Sequence, residues 1–143
     1  MFVSDILAQK GALVFSVMPS TTVAEVARQL SIRRIGSVLV LNEHSSVVGI
    51  VSERDLVRAI AAHGEGAMEL EARQVMTRDV VTCHPDDSIE EVMQTMTNGR
   101  FRHLPVVDRG ELLGLVSIGD VVKARLAETE HETEALKAYI VAG

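Results

Sequence analysis

The chain has 143 residues, 47% of them hydrophobic and 24% charged, enough for one compact unit burying about two thirds of its unfolded surface. A net charge of −6 argues against nucleic acid as a partner, and 3% aromatic content without Trp removes most platforms on which bases stack. No apolar run approaches the ~20 residues that span a bilayer, and no basic start with an apolar core opens the chain, so a cytoplasmic protein with no membrane partner is expected.

In chain order, Ser4 before Asp5-Ile6-Leu7, with Gly11 behind, predicts a short opening helix with Ser4 as its N-cap. Residues 12–17 are extended and lead to Pro19. Thr21-Thr22 cap a helix whose apolar side chains Val23, Val26 and Leu30 share one face. Val38-Leu39-Val40-Leu41 and Val47-Val48-Gly49-Ile50-Val51 form a hairpin of buried strands around a polar turn. A helix from Ser52 to about Ala62, with Leu56, Val57 and Ile60 inward, closes this half.

The second half repeats the order. An extended stretch at 80–83 precedes Pro85, and Asp86-Asp87-Ser88 cap a helix carrying Ile89, Val92 and Met96. Strands at 104–107 and 112–116 follow, with Pro105 marking an edge or a bulge because it cannot donate to a ladder. Ser117 opens the last helix pattern. Beyond it, Leu126, Thr133, Leu136 and Ile140 lie near one stripe and Glu128, Glu130, Glu132 and Glu134 elsewhere; a solvated terminal helix is one reading, and the apolar end Leu136-Lys137-Ala138-Tyr139-Ile140-Val141 favours docking on this chain or a second copy.

The two halves are copies. Gly49-Ile50-Val51-Ser52-Glu53-Arg54-Asp55-Leu56-Val57 returns as Gly114-Leu115-Val116-Ser117-Ile118-Gly119-Asp120-Val121-Val122, and Pro19 matches Pro85. The fold class is α/β, α+β by some schemes: two β-α-β-β-α repeats packed through their sheets with pseudo-twofold symmetry, plus a C-terminal helix. The expected division of a single 1–143 module is repeat 1 at about 8–63, connector 64–75, repeat 2 at about 76–127 and C-terminal helix 128–140. The one cysteine, Cys83, excludes an internal disulfide and aligns with Val17, which makes it a small buried side chain; a catalytic thiol is the alternative. Five histidines without ligand spacing predict no metal site.

Ser52 and Asp55, like Ser117 and Asp120, stand three apart where strand gives way to helix. Such a pair can be a capping box, the serine and carboxylate satisfying free amides. It can also serve a nucleotide, with hydroxyl and helix amides on a phosphate and the carboxylate on a ribose diol. Glu53, close to one proposed phosphate, mildly favours a monophosphate or dinucleotide over ATP.

The repeat order, the Pro19 and Pro85 openings, Arg102-His103-Leu104-Pro105-Val106-Val107-Asp108 and both Gly-x-Val-Ser-x-x-Asp closures resemble a pair of cystathionine-β-synthase (CBS) domains, a Bateman module, over about residues 8–127. The resemblance implies a non-catalytic regulatory module binding adenosine derivatives in clefts between the repeats, with AMP first and ADP, ATP, NAD(H) or S-adenosylmethionine as alternatives. It assigns ribose to Asp55 and Asp120, and phosphate to Ser52 and Ser117. Arg54, Arg102 and His103 join the phosphate set, and Ser16, Val17, Gly36, Val38, Thr82, Cys83 and Leu104 border the adenine. No catalytic nucleophile or required cofactor is expected. A homodimer signalling through its geometry or to a separate downstream protein is the leading reading; a ligand-free interaction scaffold, in which both motifs only cap helices, is the alternative.

Overall fold

A computed structural model describes residues 1–142. Its elements are α1 (Val3–Lys10), β1 (Ser16–Val17), α2 (Val23–Arg33), β2 (Ser37–Leu41), β3 (Val47–Ser52), α3 (Glu53–His63), α4 (Ala72–Val75), α5 (Ile89–Gly99), β4 (His103–Asp108), β5 (Glu111–Ser117) and α6 (Ile118–Ala142), with a 3-10 helix at Gly64–Glu69. They form the two expected β-α-β-β-α repeats and a C-terminal helix. Two compact units share them: residues 13–81 with 109–112, and residues 1–12, 82–108 and 113 onward.

In the first-repeat unit, β1 pairs parallel with β2, and β2 antiparallel with β3 in the register Val38↔Val51 and Leu39↔Ile50. The Thr22 hydroxyl accepts from the Glu25 amide at 3.2 Å to start α2, which lays Val23, Val26 and Leu30 on Val17, Val38, Val40, Val51, Leu56 and Ala72. One expectation is corrected: α3 turns Leu56 and Ala59 inward, while Val57 and Ile60 are exposed. The inward stripe also holds Asp55, so the helix is rotated to bury its motif carboxylate, and the two β-branched side chains fall outside it.

In the second-repeat unit, Ser88 caps α5 through the Glu91 amide at 3.1 Å, and Ile89, Val92 and Met96 are buried as their spacing predicts. The opening extended stretch is reduced to one parallel bridge, Cys83↔Val106. Pro105 explains the loss. In repeat 1 the Leu39 amide donates to Phe15 at 3.4 Å; Pro105 stands at the position of Leu39 and has no proton to give. It does accept, from the Cys83 amide at 2.9 Å, so its bare nitrogen lies on the sparsely paired side of β4. The closing helix of this repeat and the C-terminal helix are one continuous 25-residue α6.

Each unit carries a leading helix that the repeat pattern alone does not reveal. In the second, Ser4 is not an N-cap: α1 starts at Val3, whose amide donates to Asp87 at 2.9 Å, while that of Ser4 itself donates to Pro85 at 3.0 Å. Asp5 closes the start by accepting from the Phe2 amide, and Gly11, at φ 89, ends the helix. In the first, α4 makes the matching bonds, Ala72 to Thr21 at 2.7 Å and Arg73 to Pro19 at 3.0 Å. The two prolines of the repeat are thus docking points for a helix start, α4 at Pro19 and α1 at Pro85.

The same pairing explains the glycine that heads each motif. A Cβ at Gly49 would collide with Met76 along its side chain as far as that residue's own Cβ, whereas one at Gly114 would meet only the Leu7 methyls, the nearer at 2.7 Å. Gly49→Ala is therefore expected to lower stability by about 1–3 kcal/mol in urea denaturation, and Gly114→Ala by less, because a leucine terminus rotates away more readily. Equal costs, or the reverse order, would contradict this packing.

Candidate functional site

Both Ser-x-x-Asp junctions are capping boxes. At the first, Asp55 Oδ2 accepts from the Ser52 amide at 2.9 Å and the Ser52 hydroxyl at 3.0 Å, and the Asp55 amide returns a 3.3 Å bond to Ser52 Oγ. At the second, Asp120 Oδ2 accepts from the Ser117 amide at 2.9 Å and the Asp120 amide donates to Ser117 Oγ at 3.1 Å. The hairpin supplies a further anchor in each case: Gly36 O takes the Glu53 amide at 3.0 Å, and Arg102 O takes the Ile118 amide at 2.8 Å. Of the four amides that open each helix, only those of Arg54 and Gly119 are left without a partner among the described residues. The expectation that helix amides would supply the anion site is narrowed accordingly to one donor per junction.

Beyond the caps the junctions diverge. Asp55 is only 5% exposed, and its Oδ1 is taken by the Thr77 hydroxyl at 3.2 Å, with the Arg58 guanidinium at 3.6 Å. Thr77 is held there by two backbone bonds of 2.9 and 3.0 Å to Ile50 on β3. Asp120 is 26% exposed, and its second bond is to the ammonium of Lys10, 2.5 Å from Oδ2. Its Oδ1 has no hydrogen-bond partner among the described residues. Lys10, Asp120 and Lys123 border one cavity of about 170 Å³ with Gln9 and Ala124. That is below the ~300–1,000 Å³ of pockets enclosing a whole drug-sized ligand, and fits part of one.

Electrostatics sharpen the contrast. Burial raises the Asp120 pKa, but the Lys10 hydrogen bond, the Ser117 amide and hydroxyl and the Lys10 charge together outweigh it, so the carboxyl lies below its usual range. His103, half-buried at the start of β4, is pushed below 6.5 by burial and then by the Lys10 charge, with Asp120 opposing and Arg102 adding. It is neutral at physiological pH. Burial, with Asp87 second, lifts the Cys83 thiol to about 12, which leaves a small inert core side chain and no nucleophile.

The other expected residues fall into two sets. Arg54, Arg102, Ser16 and Thr82 are exposed, and Gly36 is half-buried beside the first junction. Val17, Val38, Cys83 and Leu104 are buried core side chains, so only their main chain could meet a ligand. Ser37, the repeat-1 counterpart of His103 and paired with Ser52 across the ladder, is 4% exposed with its hydroxyl unpartnered. Lys10 and Thr77 were not foreseen. Both meet their aspartates through long-range packing, and nothing in their local sequence announces it.

The CBS domain profile matches residues 4–62 and 72–127, and the chain belongs to this family as a tandem CBS pair. The crystal structure of the CBS-domain containing protein ATU1752 from Agrobacterium tumefaciens is 44% identical, covers 87% of this chain and 92% of its own, and superimposes with a TM-score of 0.84. The CBS domain pair of protein MJ0100, in complex with 5′-methylthioadenosine and S-adenosyl-L-methionine, is 25% identical over 90% of this chain and 98% of its own, with a TM-score of 0.79. CBSX2 in complex with AMP is likewise 25% identical, with a TM-score of 0.74 and the same two coverages.

His103 yields a pH prediction. Its folded pKa is lowered, so the unfolded chain takes up the proton first as pH falls through 6.5, and stability drops between there and the folded value. Melting curves from pH 7.5 to 5 should show a decline that is shallower in His103→Gln. An unchanged slope in that variant would mean the imidazole is not desolvated.

Proposed function

We propose that this CBS pair is a non-catalytic regulatory module, at work in the cytoplasm, that binds adenosine derivatives, AMP first and ADP, ATP or NAD(H) as alternatives. The repeats at about 8–63 and 76–127 form one module, and the signal leaves through dimer geometry or a downstream protein. A ligand shifts such geometry only by binding one arrangement better than another.

The observation that carries the reading is the junction at Asp120. A partly exposed carboxylate with one oxygen unpartnered among the described residues stands beside a cavity bordered by Lys10 and Lys123, with His103 opening β4 and Arg102, just before it, anchoring the helix. An acceptor for a diol next to cations for a phosphate suits a ribose phosphate. The complexes of MJ0100 with two adenosine derivatives and of CBSX2 with AMP support the same ligand class. On this reading Asp120 takes the ribose, and Ser117, Arg102 and His103 border the phosphate. Asp55, Ser52 and Arg54 would do the same at the first junction only by giving up Thr77, and the saturated state of Asp55 is what favours the second reading, a scaffold, for that repeat. The adenine would lie against Ser16, Val17, Gly36 and Val38 or Thr82, Cys83 and Leu104, largely through main-chain groups.

Thermal shift with AMP, ADP, ATP, NADH and S-adenosylmethionine tests the reading, since a ligand at 100 times its Kd stabilises by about 2.7 kcal/mol. AMP should raise the Tm, and Asp120→Asn should weaken AMP tenfold or more, roughly the worth of a charged hydrogen bond. Asp55→Asn should instead lower the Tm of the ligand-free protein. No shift with any of the five would sink the sensor reading.

The homodimer is supported by α6. Val122, Leu126, Thr129, Thr133, Leu136 and Ile140 follow alternating steps of four and three, the spacing of a coiled-coil seam, and all six are exposed. Such a seam is self-complementary, so a second copy is the partner this stripe fits. Light scattering should give twice the chain mass for the wild type and a monomer for Leu126→Glu with Ile140→Glu; a monomeric wild type would overturn it.

A further inference from the structure

The roles assigned so far leave out the group in closest contact with the Asp120 carboxylate. Lys10 Nζ sits 2.5 Å from Oδ2, the oxygen that also takes the Ser117 amide. A ribose diol presents two adjacent hydroxyls, and an aspartate that grips them with both oxygens uses Oδ1 and the position on Oδ2 that Lys10 now fills. In that grip diol and ammonium compete. Lys10 closes α1 and its side chain is 35% exposed, so its four-carbon stem can swing while the helix stays docked.

What the displaced ammonium meets is decided by the rest of the junction. The Ile118 and Asp120 amides are consumed, leaving that of Gly119, and a phosphate there needs cations. His103 supplies no charge at neutral pH, because burial and then Lys10 depress its pKa. Lys10 and Lys123 border the same cavity, and of the two only Lys10 touches the carboxylate. At the first junction the cation is the largely exposed Arg58, 3.6 Å from Asp55 Oδ1, and the close contact on that oxygen is the Thr77 hydroxyl.

We propose that Lys10 is the charge selector of the Asp120 site: it holds the carboxylate in the ligand-free protein and passes to the 5′-phosphate when a ribose diol takes its place. Resting on the nucleotide reading above, this makes the site selective for adenosine 5′-phosphates over uncharged adenosine. A neutral nucleoside must break the Lys10–Asp120 pair and gives nothing back to the ammonium. A nucleotide restores a charged partner to it.

Isothermal titration of the full chain with AMP and with adenosine separates the two claims, using wild type, Lys10→Gln, Lys10→Arg and Asp120→Asn, each checked for an intact melting transition. Lys10→Gln should weaken AMP by roughly three- to tenfold, the worth of a partly exposed charged hydrogen bond, and leave adenosine equal or tighter. Lys10→Arg should keep most of the preference for AMP. The selector role is overturned if Lys10→Gln changes both ligands by the same factor or tightens AMP, while Asp120→Asn still weakens both. The nucleotide reading itself falls, and the selector with it, if the wild type binds neither ligand or if Asp120→Asn binds AMP as well as the wild type does.

Discussion

Wherever a strand of this protein runs straight into a helix, four backbone amides lose their helical acceptors, and the Ser-x-x-Asp motif with one neighbouring carbonyl is the local solution for three of them. Serine takes the amide of the aspartate, aspartate takes the amide of the serine, and a carbonyl on the neighbouring strand, Gly36 or Arg102, takes the amide between them. That third bond ties the helix start to the hairpin. With strand, hairpin and helix fixed at one point, the buried stripe of each closing helix has its rotation set, which is why Asp55 and not Ile60 ends up inside.

This constraint also reconciles the two readings of the motif. Capping and ligand binding are not alternatives, because a carboxylate has four lone-pair directions and the cap uses one oxygen. The junctions differ in what meets the carboxylate beyond its cap. At Asp55 the remainder is saturated by a hydroxyl and the side chain is sealed, leaving a structural joint. At Asp120 the ammonium of Lys10 shares Oδ2 with the cap, and the side chain is partly exposed.

Much of the fold was legible because duplication writes each element twice. Helix caps at Thr22 and Ser88, the apolar triplets of α2 and α5, and both hairpins follow from periodicity and turn chemistry. Local signals failed where tertiary packing outvoted them. Ser4 had the composition of an N-cap, yet the two backbone bonds to Asp87 and Pro85 start the helix at Val3. Val57 and Ile60 fit an apolar face, but burial of the capping aspartate chose another. The site was legible in its duplicated serines and aspartates and illegible in Lys10 and Thr77, since contacts across 110 and 22 residues of chain leave no periodic trace.

The inequivalence of the junctions traces to the length of one helix. Both α4 and α1 begin with the same pair of backbone bonds beside a proline, and both press a side chain, Met76 or Leu7, onto the motif glycine. α4 stops at Val75; its chain turns extended and pairs Thr77 with Ile50, which delivers a short hydroxyl to a sealed carboxylate. α1 runs one turn further, to Lys10, and Gly11 ends it only after the long cationic side chain has reached Asp120. A single turn of helix thus separates a sealed carboxylate bonded to a hydroxyl from a partly exposed one paired with an ammonium. At Asp120 the cap on Ser117 and the anchor on Arg102 do not depend on Lys10, so the backbone that positions this carboxylate is fixed independently of the ion pair.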